Sequence, residues 1–404
     1  MQIEKGKQKR INWLVCITVI LGYWTLSNIF EAFELVVPLF SGALGIRINA
    51  VFCLAAILAI LNYGWSRPIH FPHIFHTAMG LAGVCVLSTL LHIELQEDII
   101  RTICNQIFWV CIFISTYLLA RKYETKMVRD LALMICIIII VTYILCKDRH
   151  VYGDSDGVAI NSIYYLLTSI PFILCIHRKF LKAFLMVIVG VFIFISAKRT
   201  ALLILFSIFV VWFFIQIFIN KKISYWMIIL FLLCCLLVIG FFVFYDKIVE
   251  NLQLLTFLRI ENLSDDLGSG RIAIYRQTWE EFCNLPWYNK FLGLGYNSLG
   301  LTSGISMAHN DLLEFLYDYG IVGTCFYIAF AAKIVKYNLW IIREKRPHAM
   351  AFTASVCIFI GLSLFSILLP YMRQFIWLVF FWAICIGEND KKINAQISEW
   401  KDKI

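Results

Sequence analysis

The sequence predicts an all-α membrane protein, a polytopic transmembrane helical bundle of about 12 spans. Of its 404 residues, 61% are hydrophobic and 15% are charged, whereas an ordinary soluble domain has roughly 45–50% and 25%. The polar residues cluster into short runs, and the apolar stretches between them have the ~20 residues that a helix needs to cross a bilayer. Because so many spans leave little room for anything else, residues 1–404 are expected to form a single integral membrane domain.

Each predicted helix is an apolar run between two polar breaks. The stretch 31–48 is ambiguous, since it is apolar enough to form an interfacial or re-entrant piece instead of joining a span. In chain order the predicted helices cover about 12–30, 49–65, 74–92, 99–120, 128–146, 159–177, 181–197, 199–219, 225–245, 310–333, 348–369 and 371–387.

The basic residues predict which side of the membrane each loop occupies. When the N-terminus is placed in the cytoplasm, most of the 35 Lys and Arg residues fall in the two termini and in the loops of that same side, as the positive-inside rule requires. Both termini are therefore expected in the cytoplasm. The net charge of +9 is then a topology signal, and nucleic acid is not expected as a partner.

One connection is much longer than the others and lies on the outer face. It runs over 64 residues, 246–309, between the ninth and tenth helices. Connections of this length are usually functional or disordered. This one is rich in apolar and aromatic residues, and Arg271–Asn284 has helical spacing, so an ordered, partly helical lid on the membrane surface is expected.

Two arginines lie where a polar break meets a helical segment. Arg199, preceded by Lys198, falls in the tight turn before the eighth helix, and Arg271 follows a turn with two glycines (267–270). Guanidinium groups hold phosphates bidentately, and glycine-flanked amides at a helix start bind anions. Both arginines are therefore candidate anion ligands, while snorkelling to headgroups or a solvated glycine turn is the alternative explanation.

A polar stripe is predicted at the start of the tenth helix, directly after His309. At 100° per residue, its five polar side chains share a sector of about 120°; they are Asn310, Asp311, Glu314, Tyr317 and Asp318. Capping of the helix would explain the first two acids, but not the histidine. A neutral imidazole can accept a proton from a hydroxyl group, and neighbouring arginines would lower its pKa.

No pattern indicates a cofactor. The histidines in HFPHIFH (70–76) are interrupted by Pro72, and Gly293-Leu294-Gly295 lacks the strand and helix of a dinucleotide site. Neither a metal nor another cofactor is therefore expected.

Four short motifs occur in a characteristic order. They are SAKRTALLIL (196–205), SGRIAIY (269–275), GLGYN (293–297) and HNDLLEFLYDYGIVG (309–323). Their order, together with a long loop before the histidine, resembles the O-antigen polymerase and ligase superfamily. These are bacterial membrane glycosyltransferases of the GT-C type.

The resemblance implies glycosyl transfer at the periplasmic face of the inner membrane, from an undecaprenyl-diphosphate-linked oligosaccharide. By motif position, Arg199 and Arg271 correspond to arginines that hold the diphosphate, and His309 to the histidine that assists the acceptor hydroxyl. Membrane lipid and a chain-length regulator protein are the other candidate partners. The residues expected to bind substrate beside these three are Lys198, Tyr275, Asn310, Asp311, Glu314 and Tyr317.

Three functions remain open from the sequence. A polymerase joins lipid-linked repeat units and is favoured by the His-Asn-Asp start of the tenth helix, whereas a ligase transfers the polysaccharide to the lipid A core. A lipid-linked saccharide transporter or flippase would also need cations for a diphosphate. Transporters, however, often show repeated halves with interrupted helices, which this sequence lacks.

Overall fold

The computed structural model is mainly helical in the parts of the chain that it describes, and no strand occurs within them. The described residues are 13–32, 43–64, 72–122, 125–146, 163–195, 198–219, 271–369 and 374–401. In chain order the helices are α1 (Trp13–Ala32), α2 (Ala43–Gly64), α3 (His73–Leu91), α4 (Ile99–Lys122), α5 (Thr125–Cys146), α6 (Ile163–Cys175), α7 (Lys179–Ile195), α8 (Arg199–Phe214), α9 (Arg271–Asn284), α10 (Trp287–Leu292), α11 (Ser298–Thr302), α12 (Asp311–Arg343), α13 (Ala349–Phe365) and α14 (Phe375–Lys401).

Four of the described helical segments are long and apolar enough to cross a membrane. Several shorter helices, including α6 and α13, are also apolar. The all-helical class is therefore confirmed for the described residues, four of whose segments are candidate membrane spans, and the number of about 12 spans stays a prediction. The four long segments are His73–Leu91, Ile99–Lys122, Thr200–Ile217 and Asp311–Arg343.

The surface of α7 shows why this bundle needs a lipid environment. Phe180 is 86% exposed, and the apolar side chains that follow it at helical spacing are also exposed. Such a continuous apolar stripe would be costly in water but matches the hydrocarbon of a bilayer. The exposed residues of the stripe are Phe180, Phe184, Val187, Val191 and Phe194.

The centre of the bundle is α14. Its first turns, residues 375–386, are buried on every side, as expected for a helix that is apolar all round. This helix packs along α4 and also contacts α13. Phe375 stacks edge-on against Trp109 of α4, with ring centroids 5.4 Å apart, so the C-terminal helix joins the N-terminal half of the chain to the half that carries His309.

The helix boundaries depart from the predictions where polar residues intervene. The predicted helix 348–369 ends at Phe365, because the Asp311 carboxylate accepts hydrogen bonds from the Leu368 and Leu369 amides and holds them out of the helix. The predicted helices 310–333 and 371–387 continue to Arg343 and Lys401, because helix formation does not stop where the apolar run does.

Several predicted regions fall wholly or partly outside the described residues, among them residues 246–270 of the long connection with its glycine turn 267–270. The predicted helix 225–245 lies outside them entirely. Of the ambiguous stretch 31–48, residues 33–42 lie outside, and 43–48 form the first turns of α2, which therefore begins before the predicted residue 49.

A glycine interrupts α12 near its start. Gly320 has φ +65° inside an otherwise helical run, a conformation that is costly for residues with a Cβ. Gly293, also at positive φ, lies against this interruption: a Cβ on Gly293 would overlap the Asp318 backbone, and one on Gly320 would overlap Phe291. The first part of α12, 311–319, is thereby locked to the segment that precedes it.

Candidate active site

His309 lies in the turn that leads into α12, and the backbone around it is tightly held. The residue is half-buried and has a left-handed φ of +53°, which is uncommon for a residue with a side chain. The Tyr275 hydroxyl donates to the His309 carbonyl at 3.3 Å. The next residue, Asn310, caps α12 by accepting from the Leu312 and Leu313 amides at 2.9 and 3.2 Å. Hydrogen bonds therefore hold the backbone to which the imidazole is attached.

Arg271 is the first residue of α9, at the bounds that the helical spacing predicts. Its Nη1 donates to the Phe365 carbonyl at 2.8 Å, at the end of α13. Tyr275, one turn further along, reaches the neighbouring Leu364 carbonyl at 3.4 Å, and the Asn310 amide donates to that same carbonyl at 3.2 Å. The end of α13 therefore gathers the predicted residues of the long connection and of the α12 cap.

Lys198 and Arg271 both act on the imidazole of His309. Burial is the largest cause that lowers the pKa of His309, and the positive charges of Arg271 and Lys198 lower it further. Residues far apart in the chain thus share one environment, and the histidine is held neutral near pH 7. A neutral imidazole beside two cations can accept a proton while the cations bind an anion.

Lys198 precedes α8, and Arg199 is the first residue of that helix. The Lys198 ammonium lies over the ring of Tyr164, 5.8 Å from its centroid, which is within cation–π range. The side chain of Arg199 lies outside the described part of the structure. Its backbone position is described, and it places Arg199 next to Lys198 at the start of α8.

The acids of the predicted stripe face the protein interior. Asp311 is fully buried and accepts from the Leu368 and Leu369 amides at 2.8 and 3.3 Å. Asp318 is also fully buried, and it accepts from the Ser298 hydroxyl at 2.7 Å and from the backbone of α11. Each acid thus ties the start of α12 to a different loop.

Glu314 and Tyr317 complete this set of internal contacts. The Oε2 atom of Glu314 accepts from the Ala308 amide at 2.7 Å, directly before His309. Its Oε1 atom is buried without a hydrogen-bond partner among the described residues. The Tyr317 hydroxyl shares a hydrogen bond of 2.8 Å with Thr302. The alternative in which Asp311 caps α12 is wrong in detail, since Asn310 is the cap.

Sequence reasoning missed one contributor to the site. Tyr164 comes from α6, and its ring lies under the Lys198 ammonium. Tyr164 carries no sequence signal, because only the packing of α6 against α8 and α13 brings it to the site.

The described side chains offer no evident metal centre. Within those residues, His, Cys, Asp and Glu form no group of three or more that could hold a metal ion. The site is instead made of cationic, imidazole and hydroxyl groups.

Comparison with known proteins identifies this region. A family model described as O-antigen ligase matches residues 184–328, the stretch that carries Lys198, Arg271 and His309. A search of curated proteins returned no match. The family match indicates an O-antigen ligase or polymerase-like function and a lipid-linked oligosaccharide as substrate. Residues 184–328 are therefore similar to the O-antigen ligase family, and the resemblance to the O-antigen polymerase and ligase superfamily is confirmed.

Proposed function

We propose that the protein is a glycosyltransferase that uses an undecaprenyl-diphosphate-linked oligosaccharide as donor at the periplasmic face of the inner membrane. The observation that carries this proposal is the convergence of Arg271, Tyr275 and Asn310 on the end of α13, beside the backbone of His309. Cations stabilise a diphosphate leaving group as its negative charge develops, and a neutral histidine beside them can act as a general base.

The reaction follows from these roles. The acceptor hydroxyl attacks the anomeric carbon, the new C–O bond forms as the bond to the diphosphate breaks, and undecaprenyl diphosphate leaves. His309 takes the hydroxyl proton on its free imidazole nitrogen. A single displacement inverts the anomeric configuration. Arg199 and Arg271 supply the positive charge at the leaving group, so this step needs no metal ion.

The remaining predicted residues act around this centre. Tyr275 holds the backbone at His309 by donating to its carbonyl, and Asn310 donates to the Leu364 carbonyl at the end of α13. Glu314 accepts a hydrogen bond from the Ala308 amide, directly before His309. Asp311 accepts one from the Leu368 amide in the segment after α13. In this proposal Asp311, Glu314 and Tyr317 contribute by fixing the loops that surround the substrate.

We favour a polymerase, in which the acceptor is a second lipid-linked repeat unit, because of the His-Asn-Asp start of α12. The second candidate is a ligase with the lipid A core as acceptor, and the description of the matching family favours it. The sidedness, with both termini in the cytoplasm and about 12 spans, belongs to the same proposal.

The test is a transfer assay with purified protein and one synthetic lipid-linked repeat unit. A ladder of longer products without any lipid A core supports a polymerase, whereas product that forms only when core is added identifies a ligase. A transporter would form no glycosidic bond with either acceptor, even as wild type. His309→Ala is the matched negative control, and its accumulation in the membrane should equal that of the wild type.

A further inference from the structure

The exposed side chains of α10 are aromatic. Trp287 is 75% exposed, and Tyr288 and Phe291 are each more than half exposed. At the spacing of a helix these three share a sector of about 100°. The opposite face carries Asn289, which is buried and hydrogen-bonded to His92 Nε2 at 3.2 Å. An aromatic outer face with a polar inner face is the reverse of what a helix in water shows.

The neighbouring helix α9 gives a useful contrast. Its exposed residues include Arg276, Gln277 and Glu280, and one aromatic side chain, Trp279, is exposed among them. Such a mixed surface is normal in contact with water. Several adjoining exposed aromatic side chains instead mark a surface that meets an apolar partner, so α9 and α10 are expected to have different surroundings.

The end of α10 lies where the exposed apolar part of α12 begins. A Cβ on Gly320 would overlap the Phe291 backbone, so α10 ends directly against the interruption of α12. None of the residues 311–319 is exposed, whereas Ile321 and Ile328 are. With a rise of about 1.5 Å per residue, 320–343 extends over roughly 35 Å, enough to cross a hydrocarbon core of about 30 Å. Gly320 therefore marks one edge of the membrane-spanning part of α12.

The end of α3 adjoins the same place. Leu90, Leu91 and Ile93 are about half exposed, and His92, among them, is the residue that bonds to Asn289 of α10. Both α3 and α12 are long and apolar enough to cross a membrane. The aromatic face of α10 is therefore continuous with apolar surface at the ends of two candidate spans.

We propose that α10 is a membrane anchor, whose Trp287, Tyr288 and Phe291 side chains insert into the interfacial layer of the bilayer beside the start of α12. Trp and Tyr concentrate in this layer because their rings are apolar while the N–H or O–H group still reaches water. The partner is lipid, because the face continues the apolar surface that the spans expose. This role goes beyond the proposed function and does not depend on it.

The anchor also holds the start of α12 at a fixed height over the bilayer. Gly295, three residues after α10, donates its amide to the Asp318 carbonyl at 2.7 Å. The Ser298 hydroxyl donates to the Asp318 carboxylate, also at 2.7 Å. Since His309 lies two residues before α12, the depth of α10 in the interface also sets the level of the histidine.

Photocrosslinking of the full-length protein in vesicles of phosphatidylethanolamine and phosphatidylglycerol tests the anchor. The photoreactive residue p-benzoylphenylalanine replaces Trp287 or Phe291, or Trp279 as the matched control, because all three are exposed aromatic residues of the same connection. After irradiation we expect phospholipid adducts at positions 287 and 291, detected by mass spectrometry of the peptides, and none at 279. Since the three side chains are exposed, the thermal unfolding temperature should stay that of the wild type.

Quenching of tryptophan emission by brominated phospholipids measures the depth of the anchor. The contribution of Trp287 is the difference in emission between the wild type and Trp287→Phe. We expect bromine placed near the headgroup to quench this contribution more than bromine near the centre of the bilayer. The contribution of Trp279, obtained from Trp279→Phe, should be quenched by neither lipid.

Four outcomes overturn the inference. They are the absence of a lipid adduct at both 287 and 291, an equal yield of lipid adduct at 279 and 287, a covalent dimer of the protein in place of the lipid adduct, and stronger quenching of Trp287 by the deep bromine. A covalent dimer would show that a second copy of the chain covers this face. Failure of the proposed function is a separate result, because neither measurement requires glycosyl transfer.

Discussion

The ionisable side chains at the two ends of the helical bundle have different partners. At the end where α12 gives way to α13, opposite groups meet each other within the protein. His348 Nε2 lies 3.4 Å from Glu388 Oε2, and the Tyr117 hydroxyl donates to Asp390 at 2.7 Å. Burial lowers the pKa of His348, but contacts with Cys175 and Glu388 outweigh this and raise it to about 10.

At the other end, two cations come together beside a neutral histidine. Lys198, Arg271 and His309 share one environment, while Asp311 and Glu314, which follow His309 in sequence, accept hydrogen bonds from backbone amides instead. Paired charges are the usual means of stabilising buried ionisable groups. A cluster of like sign has to be held in place by other contacts, which is typical of a site that receives an anion.

The largest expected effect is on the two groups placed at the reaction centre. Arg271→Ala and His309→Ala should each lower the rate of glycosyl transfer by about 10² to 10³-fold, the usual range for removing a charge-stabilising group or a general base. The rate is measured with the lipid-linked repeat unit. Arg276→Ala is the matched control, because Arg276 is an exposed guanidinium on the same helix. An equal loss of rate in Arg276→Ala would show that the effect is not specific to the residues placed at the reaction centre.

A smaller loss is expected when charge is kept and geometry is changed. Arg199→Lys should lower kcat/KM by about tenfold or more, because an ammonium cannot reproduce the fork of a guanidinium. Arg178→Lys, at an exposed position between α6 and α7, should behave as the wild type. Full activity of Arg199→Lys would argue against a bidentate contact with the diphosphate.

The pH profile gives a more subtle test of the cationic cluster. His309 has a lowered pKa, so it is neutral near pH 7, and transfer should fall only as the pH drops through that lowered value. Arg271→Gln removes a charge that lowers the pKa, so the acidic limb of kcat/KM should move to higher pH in its residual activity. Lys198→Gln should move it in the same direction by less. An acidic limb that stays in place in both variants would show that these cations do not act on the catalytic base.

The smallest effect on transfer is expected at the opposite end. Glu388→Gln should lower the free energy of unfolding by about 1–3 kcal/mol, as expected when a buried charged group loses its partner, and leave the transfer rate unchanged below the unfolding temperature. Since the pKa of His348 is raised to about 10 from an unfolded value near 6.5, its stabilisation is complete below about pH 6.5 and is lost as the pH rises to about 10. Unfolding of the wild type should show this dependence, and the variant, which keeps the Cys175 contact, should show less of it.

The sequence alone predicts much of the local structure. Helical spacing predicts the bounds of α9, Arg271–Asn284, as the structure has them. Polar breaks predict the described helices to within a few residues at most ends. The order of the four motifs predicts the family. These features depend on residues close together in the chain, so a single sequence contains the information that they need.

Long-range contacts account for what the sequence could not predict. The end of α13 at Phe365 depends on Asp311, which lies more than 50 residues away and captures the Leu368 and Leu369 amides. The interruption of α12 at Gly320 requires the close approach of Gly293. The part of Tyr164 in the site depends on the packing of α6 against α8 and α13. None of these pairings leaves a periodicity or a spacing in the sequence.

The most direct test of the account is a cryo-electron microscopy map of the protein with a bound, non-hydrolysable undecaprenyl-diphosphate sugar. We expect the diphosphate between Arg199, Arg271 and Lys198, and the imidazole of His309 facing the anomeric carbon from the side opposite the diphosphate. Density for the diphosphate at another place, with Arg271 and His309 remaining away from the ligand, would contradict the account.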